Sequence, residues 1–189
     1  MIILILKSNT SYASIEENYR GITISSTLSK IFEACLKRVF FRFLETDELQ
    51  FGFKAGVGCR DASMTARSVI QYYTNHGDTV TVCALDISKA FNRVDFFYCL
   101  FLKLMNRNVP KVFLYLIVNW YINCTAVVKW DNFISQSFHI QAGVRQGGVL
   151  SPCLFAIYIN DIVVRLCDSR LGCFIADCFI GCILYADDI

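Results

Sequence analysis

The chain is poor in charge, in histidine and in long apolar runs, and each scarcity removes a class of function. Lysine, arginine, aspartate and glutamate make up 18% of the 189 residues and leave a net charge of +2. No global field therefore marks a nucleic-acid binder. There are two histidines, His76 and His139, and no Cys-x-x-Cys spacing among ten cysteines, so no zinc-ligand pattern is present. The longest uncharged run, residues 112–128, contains Asn119, Asn123 and Thr125 and falls short of the roughly 20 apolar residues of a membrane span. It reads as a core helix running into a strand. The apolar start, residues 1–6, has no basic n-region before it and is too short for a signal h-region; it predicts a buried strand with Lys7 at its exit. No repeat, low-complexity stretch or charged linker interrupts the chain, which predicts one domain over residues 1–189.

What is present is apolar. Hydrophobic residues reach 55% and the mean hydropathy is +0.46, high for a soluble domain. A fragment whose apolar faces pack on further chain fits this better than a membrane protein. Without a secretory signal, the ten cysteines read as free, mostly buried thiols of an intracellular protein of the cytoplasm or nucleus, not a secreted one. Basic residues cluster at Lys30, Lys37, Arg38 and Arg42, and again at Lys54, Arg60 and Arg67; a solvated helix face is the simplest reading of each.

Residues 8–18 are polar and loop-like, and 22–24 form a short β-type run. Ser26 or Thr27 caps a helix in which Ile31, Cys35, Leu36, Val39, Phe40, Phe43 and Leu44 recur at helical spacing. A glycine-punctuated loop, 51–58, precedes a helix capped by Asp61 or Ser63 and ending near Asn75. Residues 79–85 predict a buried strand ending on Asp86, followed by a helix that reaches Asn106. Pro110 opens the next helix, over 111–122. Strands over 124–130 and 133–140 flank an Asp131-Asn132 turn, and Ser151-Pro152 starts a helix with Leu154, Tyr158, Ile162 and Leu166 on one face. The last strands are 172–176 and 179–185.

Two apolar strands thus end on aspartate, one at Asp86 and one at Asp187-Asp188. Adjacent carboxylates repel, and burying them costs several kcal/mol, so the pair needs either water at a turn or a divalent metal. If the two strands are neighbours, their carboxylates meet at one sheet edge. Such oxygen ligands suit Mg²⁺, and two ions about 4 Å apart would hold both oxygens of an in-line phosphoryl displacement.

Asp86-Ile87-Ser88-Lys89-Ala90-Phe91, Gly143-Val144-Arg145-Gln146-Gly147-Gly148-Val149-Leu150-Ser151-Pro152 and Tyr185-Ala186-Asp187-Asp188 resemble, in order, three palm motifs of reverse transcriptases. Asn18-Tyr19-Arg20-Gly21-Ile22 and Gln50-Phe51-Gly52-Phe53-Lys54 resemble the fingers blocks of non-LTR (LINE-type) retrotransposon enzymes. The resemblance implies an α+β fold of the right-hand polymerase type, with fingers over about 1–80 and an incomplete palm over about 80–189. That palm would be a small antiparallel sheet with helices packed on one face. It implies an RNA-directed DNA polymerase acting on an RNA template, a DNA primer and dNTPs with two Mg²⁺, for which Mn²⁺ can substitute, and no membrane partner. Asp86, Asp187 and Asp188 would be catalytic metal ligands, with the Ile87 carbonyl completing one shell. Phe91 would be a steric gate against the ribose 2′-hydroxyl. Gln146 and Gly147 would lie against nucleotide and template. Lys7 and Arg20 would meet the triphosphate, and Lys54 and Arg60 the nucleic-acid backbone.

Phe91 and Ala186 stand where RNA-dependent RNA polymerases carry an aspartate and a glycine, which favours DNA synthesis. Asn92 and Gly21 depart from an aspartate and a proline common in the family, and neither removes a metal ligand. With the sequence stopping one residue after Asp188, the isolated chain is expected to have little polymerase activity. The alternatives are a catalytically inactive remnant that binds nucleic acid or protein, and a group II intron or retron-type enzyme.

Overall fold

β1 (Ile2–Leu6) and β2 (Tyr19–Thr23) pair antiparallel, with Ile2 opposite Thr23 and Leu6 opposite Tyr19. The computed structural model describes residues 1–7 and 18–189; the polar loop predicted over 8–18 therefore lies almost wholly outside the described residues. The chain divides into two compact units. One is Met1–Leu44 with Phe91–Leu154, and the other is Glu45–Ala90 with Phe155–Ile189.

In the first unit, β3 (Thr125–Ala126) and β4 (Val128–Trp130) follow each other directly, then β5 (Phe133–Ile134) and β6 (Phe138–His139). The main sheet runs β2-β1-β4-β5, and β3 pairs with β6 in a separate ribbon. The β4–β5 hairpin turns at Asp131 (φ 50°), as the Asp131-Asn132 signal predicts. The sheet is not purely antiparallel: β1 and β4 run parallel. The two predicted long strands, 124–130 and 133–140, each split between two sheets. Ser135 fixes the break: its hydroxyl accepts the Val128 N–H and its own N–H goes to the Val128 carbonyl, both at 2.9 Å.

α1 (Thr27–Val39) begins at Ser26, whose hydroxyl accepts the Ser29 N–H at 3.2 Å. Its inward side differs from the predicted stripe. Glu33 and Leu36 are buried and Phe32 packs on Trp120, whereas Ile31 (54% exposed) and Val39 (70%) face solvent. A turn of 3₁₀-helix at Phe41–Phe43 carries the chain on. α3 (Phe101–Asn106) and α4 (Lys111–Ile122) contribute Leu104, Phe113 and Ile117 to the core, all fully buried. Pro110 precedes α4, as expected.

The helix predicted to be entered within residues 87–95 and to reach Asn106 is broken. It is a 3₁₀ turn (Ala90–Arg93), a π turn (Phe96–Leu100) and then α3. The cause is hydrogen-bond diversion. The Phe91 and Val94 carbonyls accept from Val144 (2.7 Å) and Gly143 (2.8 Å) instead of from the following turn. Asp95 then restarts the helix by accepting the Tyr98 N–H at 3.0 Å.

In the second unit, α2 (Cys59–Asn75) starts at Gly58 rather than at Asp61 or Ser63. Asp61 nonetheless contributes, its carboxylate accepting the Gly58 N–H at 2.7 Å. β7 (Phe174–Ile175) and β8 (Cys178–Phe179) form a hairpin. The Tyr73 hydroxyl ties α2 to it, donating to the Phe174 carbonyl (2.6 Å) and accepting the Phe174 N–H (2.8 Å). α5 (Ser151–Asp168) contributes its first four residues to the first unit and the rest to the second. It is buried at Leu154, Phe155, Ile157 and Val163, while Leu166 of the predicted stripe is exposed.

The segment predicted as a strand over 79–85 forms no ladder until its last residue, and it is not buried: Val82 is 69% and Leu85 57% exposed. The thiols also depart from expectation. All ten are free, yet only Cys153 and Cys182 are buried. Among the described residues no helix is long and apolar enough to cross a membrane.

Candidate active site

Residues 182–189 of the second unit carry the carboxylate pair. Cys182 and Leu184 are buried, and burial pushes the Cys182 thiol up to about 11, with the Asp47 charge adding to it. Tyr185 and Asp188 exchange main-chain bonds of 2.9 and 3.1 Å, closing a two-residue turn with Ala186 and Asp187 at its corner. The returning chain pairs with residues 85–87. Leu85 and Ile189 exchange bonds of 2.8 and 2.9 Å, and the Ile87 N–H donates to the Asp187 carbonyl at 3.3 Å.

This register sets Asp86 directly opposite Asp188. It is the pair without main-chain bonds between its members, whose side chains rise on one face of the ladder. Asp187 sits at the corner, half-buried, while Asp86 and Asp188 are exposed. Carboxylate oxygens are the hard donors that Mg²⁺ takes, so the residues fit that ion chemically. Among the described residues, however, no three His, Cys, Asp or Glu side chains are gathered into a ligand cage. The three aspartates share one edge without closing on one point.

The turn is held from behind by residues 49–52, which pair parallel with Leu184. The Phe51 N–H donates to the Leu184 carbonyl at 2.7 Å and the Leu184 N–H to Leu49 at 2.8 Å. A Cβ at Gly52 would lie 2.2 Å from the Ala186 nitrogen, so only glycine lets the two segments touch. Lys54 is half-buried and its ammonium donates to the Asp47 carbonyl. Burial lowers its pKa, against the opposing pull of Asp47, Glu48 and Glu45. Arg60 is exposed in the first turn of α2.

The Gln146-Gly147 loop belongs to the first unit. The Gln146 carbonyl accepts the Thr23 N–H of β2 at 2.8 Å. Gly147 has φ +108°, and a Cβ there would lie 2.7 Å from the Thr23 carbonyl oxygen. Close approach of β2 thus already requires glycine, whatever substrate does. Phe91 is half-buried, and its carbonyl is the acceptor for Val144 of this loop. Lys7 and Arg20 are exposed at the same end of the β1–β2 hairpin, where the Lys7 N–H donates to Asn18 at 2.8 Å.

Two residues emerge to which the sequence assigns no role. Glu33, 2% exposed, accepts from the Val149 (2.6 Å) and Leu150 (3.2 Å) N–H groups, from the Trp120 indole (3.2 Å) and from Arg145 (3.5 Å). Its signal is a lone carboxylate at helical spacing with Leu36 and Phe40. The other is Gln50, fully buried behind the turn.

Comparison with known proteins gives the family. Residues 5–189 match the family model described as reverse transcriptase (RNA-dependent DNA polymerase), and the chain belongs to that family. Its relatives include the Pol polyprotein of the type-2 retrotransposable element R2DM of Drosophila melanogaster, 27% identical over 92% of this chain. A probable RNA-directed DNA polymerase from the X-element transposon of the same fly is 32% identical over 77% of it. The RNA-directed DNA polymerase of the mobile element jockey, from Drosophila funebris, is 28% identical over 85%. The expected kinship with non-LTR retrotransposon enzymes therefore holds. The matches span 16%, 16% and 18% of those relatives' own lengths.

Proposed function

We propose that this chain is the fingers and part of the palm of an RNA-directed DNA polymerase, and that Asp86, Asp187 and Asp188 are its metal-binding carboxylates. The observation that carries the reading is the register setting Asp86 opposite Asp188, with Asp187 at the adjoining corner. Residues far apart in sequence reach one edge through two apolar segments that end on aspartate.

These carboxylates and the Ile87 carbonyl would hold Mg²⁺, which would supply activation of the primer 3′-hydroxyl and neutralisation of the departing pyrophosphate. The chain's own residues do the rest. The Phe91 ring restricts the sugar site to deoxyribose by excluding a 2′-hydroxyl. Gln146 and Gly147 present the loop against the nucleotide and template. Lys7 and Arg20 draw the triphosphate, while Lys54 and Arg60 meet the template backbone without reading its sequence.

Primer extension on an RNA template, by an enzyme that carries this chain within a complete polymerase, tests the reading. DNA synthesis should depend on Mg²⁺ and fall by about a hundredfold or more in Asp86→Asn and in Asp187→Asn, the scale of losing a charge-stabilising group. Phe91→Ala should admit ribonucleotides. Synthesis that persists in either aspartate variant removes the site assignment.

A further inference from the structure

We infer that Gln50 is a positioning residue for the 185–188 turn: its side-chain oxygen fixes the main chain that carries Asp187. Gln50 is fully buried. Its Oε1 accepts two main-chain N–H groups, from Gly52 at 2.8 Å and from Ala186 at 3.3 Å. Only the amide oxygen can accept, so the two donors orient the side chain. In a two-residue turn the corner N–H groups take no part in the closing bonds, and Gln50 supplies the acceptor that Ala186 would otherwise lack.

Three features show that the acceptor, rather than the bulk, is what the position needs. The Gln50 Nε2 is buried with no partner among the described residues. A leucine or methionine would avoid that cost. Ala186 holds φ +60°, a left-handed corner that an alanine adopts only under constraint. The chain on either side of Gln50 is already bonded to Leu184, and Gly52 lies against Ala186, so the glutamine oxygen bears on the turn from a fixed base. Losing it frees the residue directly before Asp187.

The consequence for metal binding rests on the reading of the site given above; the hold on the turn does not. Gln50→Met keeps the length of the side chain and removes the acceptor. Gln50→Glu keeps an acceptor oxygen. Amide hydrogen exchange should show Ala186 opening about tenfold faster in Gln50→Met, the size of one lost hydrogen bond, with amides of α2 and α5 unchanged. Gln50→Glu should restore the protection. Mn²⁺ binding followed by electron paramagnetic resonance should weaken by about tenfold in Gln50→Met.

An unchanged Ala186 amide in Gln50→Met, or an equal loss of protection across the unit, overturns the proposal, since a mere core filler would give either. If Gln50→Met does not fold, Gln50→Glu decides alone: slow Ala186 exchange supports the acceptor role and fast exchange refutes it. Wild-type Mn²⁺ binding that Asp86→Asn leaves intact refutes the metal site, while Ala186 exchange still decides what Gln50 does.

Discussion

Glu33 is a carboxylate taken almost wholly out of water, and its four donors are unequal. The contact with Arg145 is the longest at 3.5 Å, and the Val149 N–H is the shortest at 2.6 Å. Together with Leu150, the shortest bond caps the start of α5, where main-chain N–H groups lack helical partners and negative charge is favoured. The cap therefore outweighs the ion pair. Arg145 keeps other company, with its guanidinium 5.0 Å from the Trp120 ring centre and 5.8 Å from that of Tyr121. The same burial raises the pKa of the Tyr121 phenol well above its usual range. Glu33→Ala leaves the Arg145 charge and the Val149 and Leu150 amides without this acceptor and should cost about 3–5 kcal/mol. Glu33→Gln, which keeps an acceptor, should cost less. Chemical denaturation of the three proteins checks the order, and an Ala variant as stable as wild type would contradict it.

At the scale of elements, the loop over 143–148 is a junction. It bonds to β2 through Gln146 and diverts the carbonyls of Phe91 and Val94. Gly147→Ala combines a left-handed φ with a Cβ 2.7 Å from the Thr23 oxygen, so it should destabilise the protein by about 1–3 kcal/mol. Thermal unfolding measures this, and a midpoint within error of wild type would mean that β2 does not press on the loop. The same junction explains what the sequence could and could not disclose. The Ser26 cap, Pro110 and the Asp131-Asn132 turn act within a few residues, and those elements form where local chemistry places them. The helix expected to reach Asn106 breaks because acceptors some fifty residues ahead of their donors leave the helical pattern, and no local periodicity records that. The strand expected over 79–85 has the right composition, but its ladder spans only residues 85–87, so its side chains stay exposed. The meeting of Asp86 with Asp187 and Asp188 was legible because each aspartate ends an apolar segment. The supports behind it were not, since Gln50 looks like any polar loop residue until its burial is seen.

At the scale of the molecule, the carboxylates and their supports all lie in the second unit, and the loop with Phe91, Gln146 and Gly147 lies in the first. Both units expose large apolar side chains, among them Phe133 and Ile134 in one and Val82 and Leu171 in the other. The site assignment can thus be tested within the second unit's own chemistry. Asp86 and Asp188 face each other as like charges, an arrangement that destabilises a ladder unless a cation offsets it. The measurement that bears most directly on this is the thermal midpoint as Mg²⁺ is raised, for wild type, Asp86→Asn and Asp188→Asn. The account predicts that wild type gains stability with Mg²⁺, by about 2.7 kcal/mol at a hundred times the dissociation constant. The two variants should start from a higher midpoint without Mg²⁺ and respond to it little. A wild-type midpoint that does not move with Mg²⁺, or one that moves equally in all three proteins, would contradict the account.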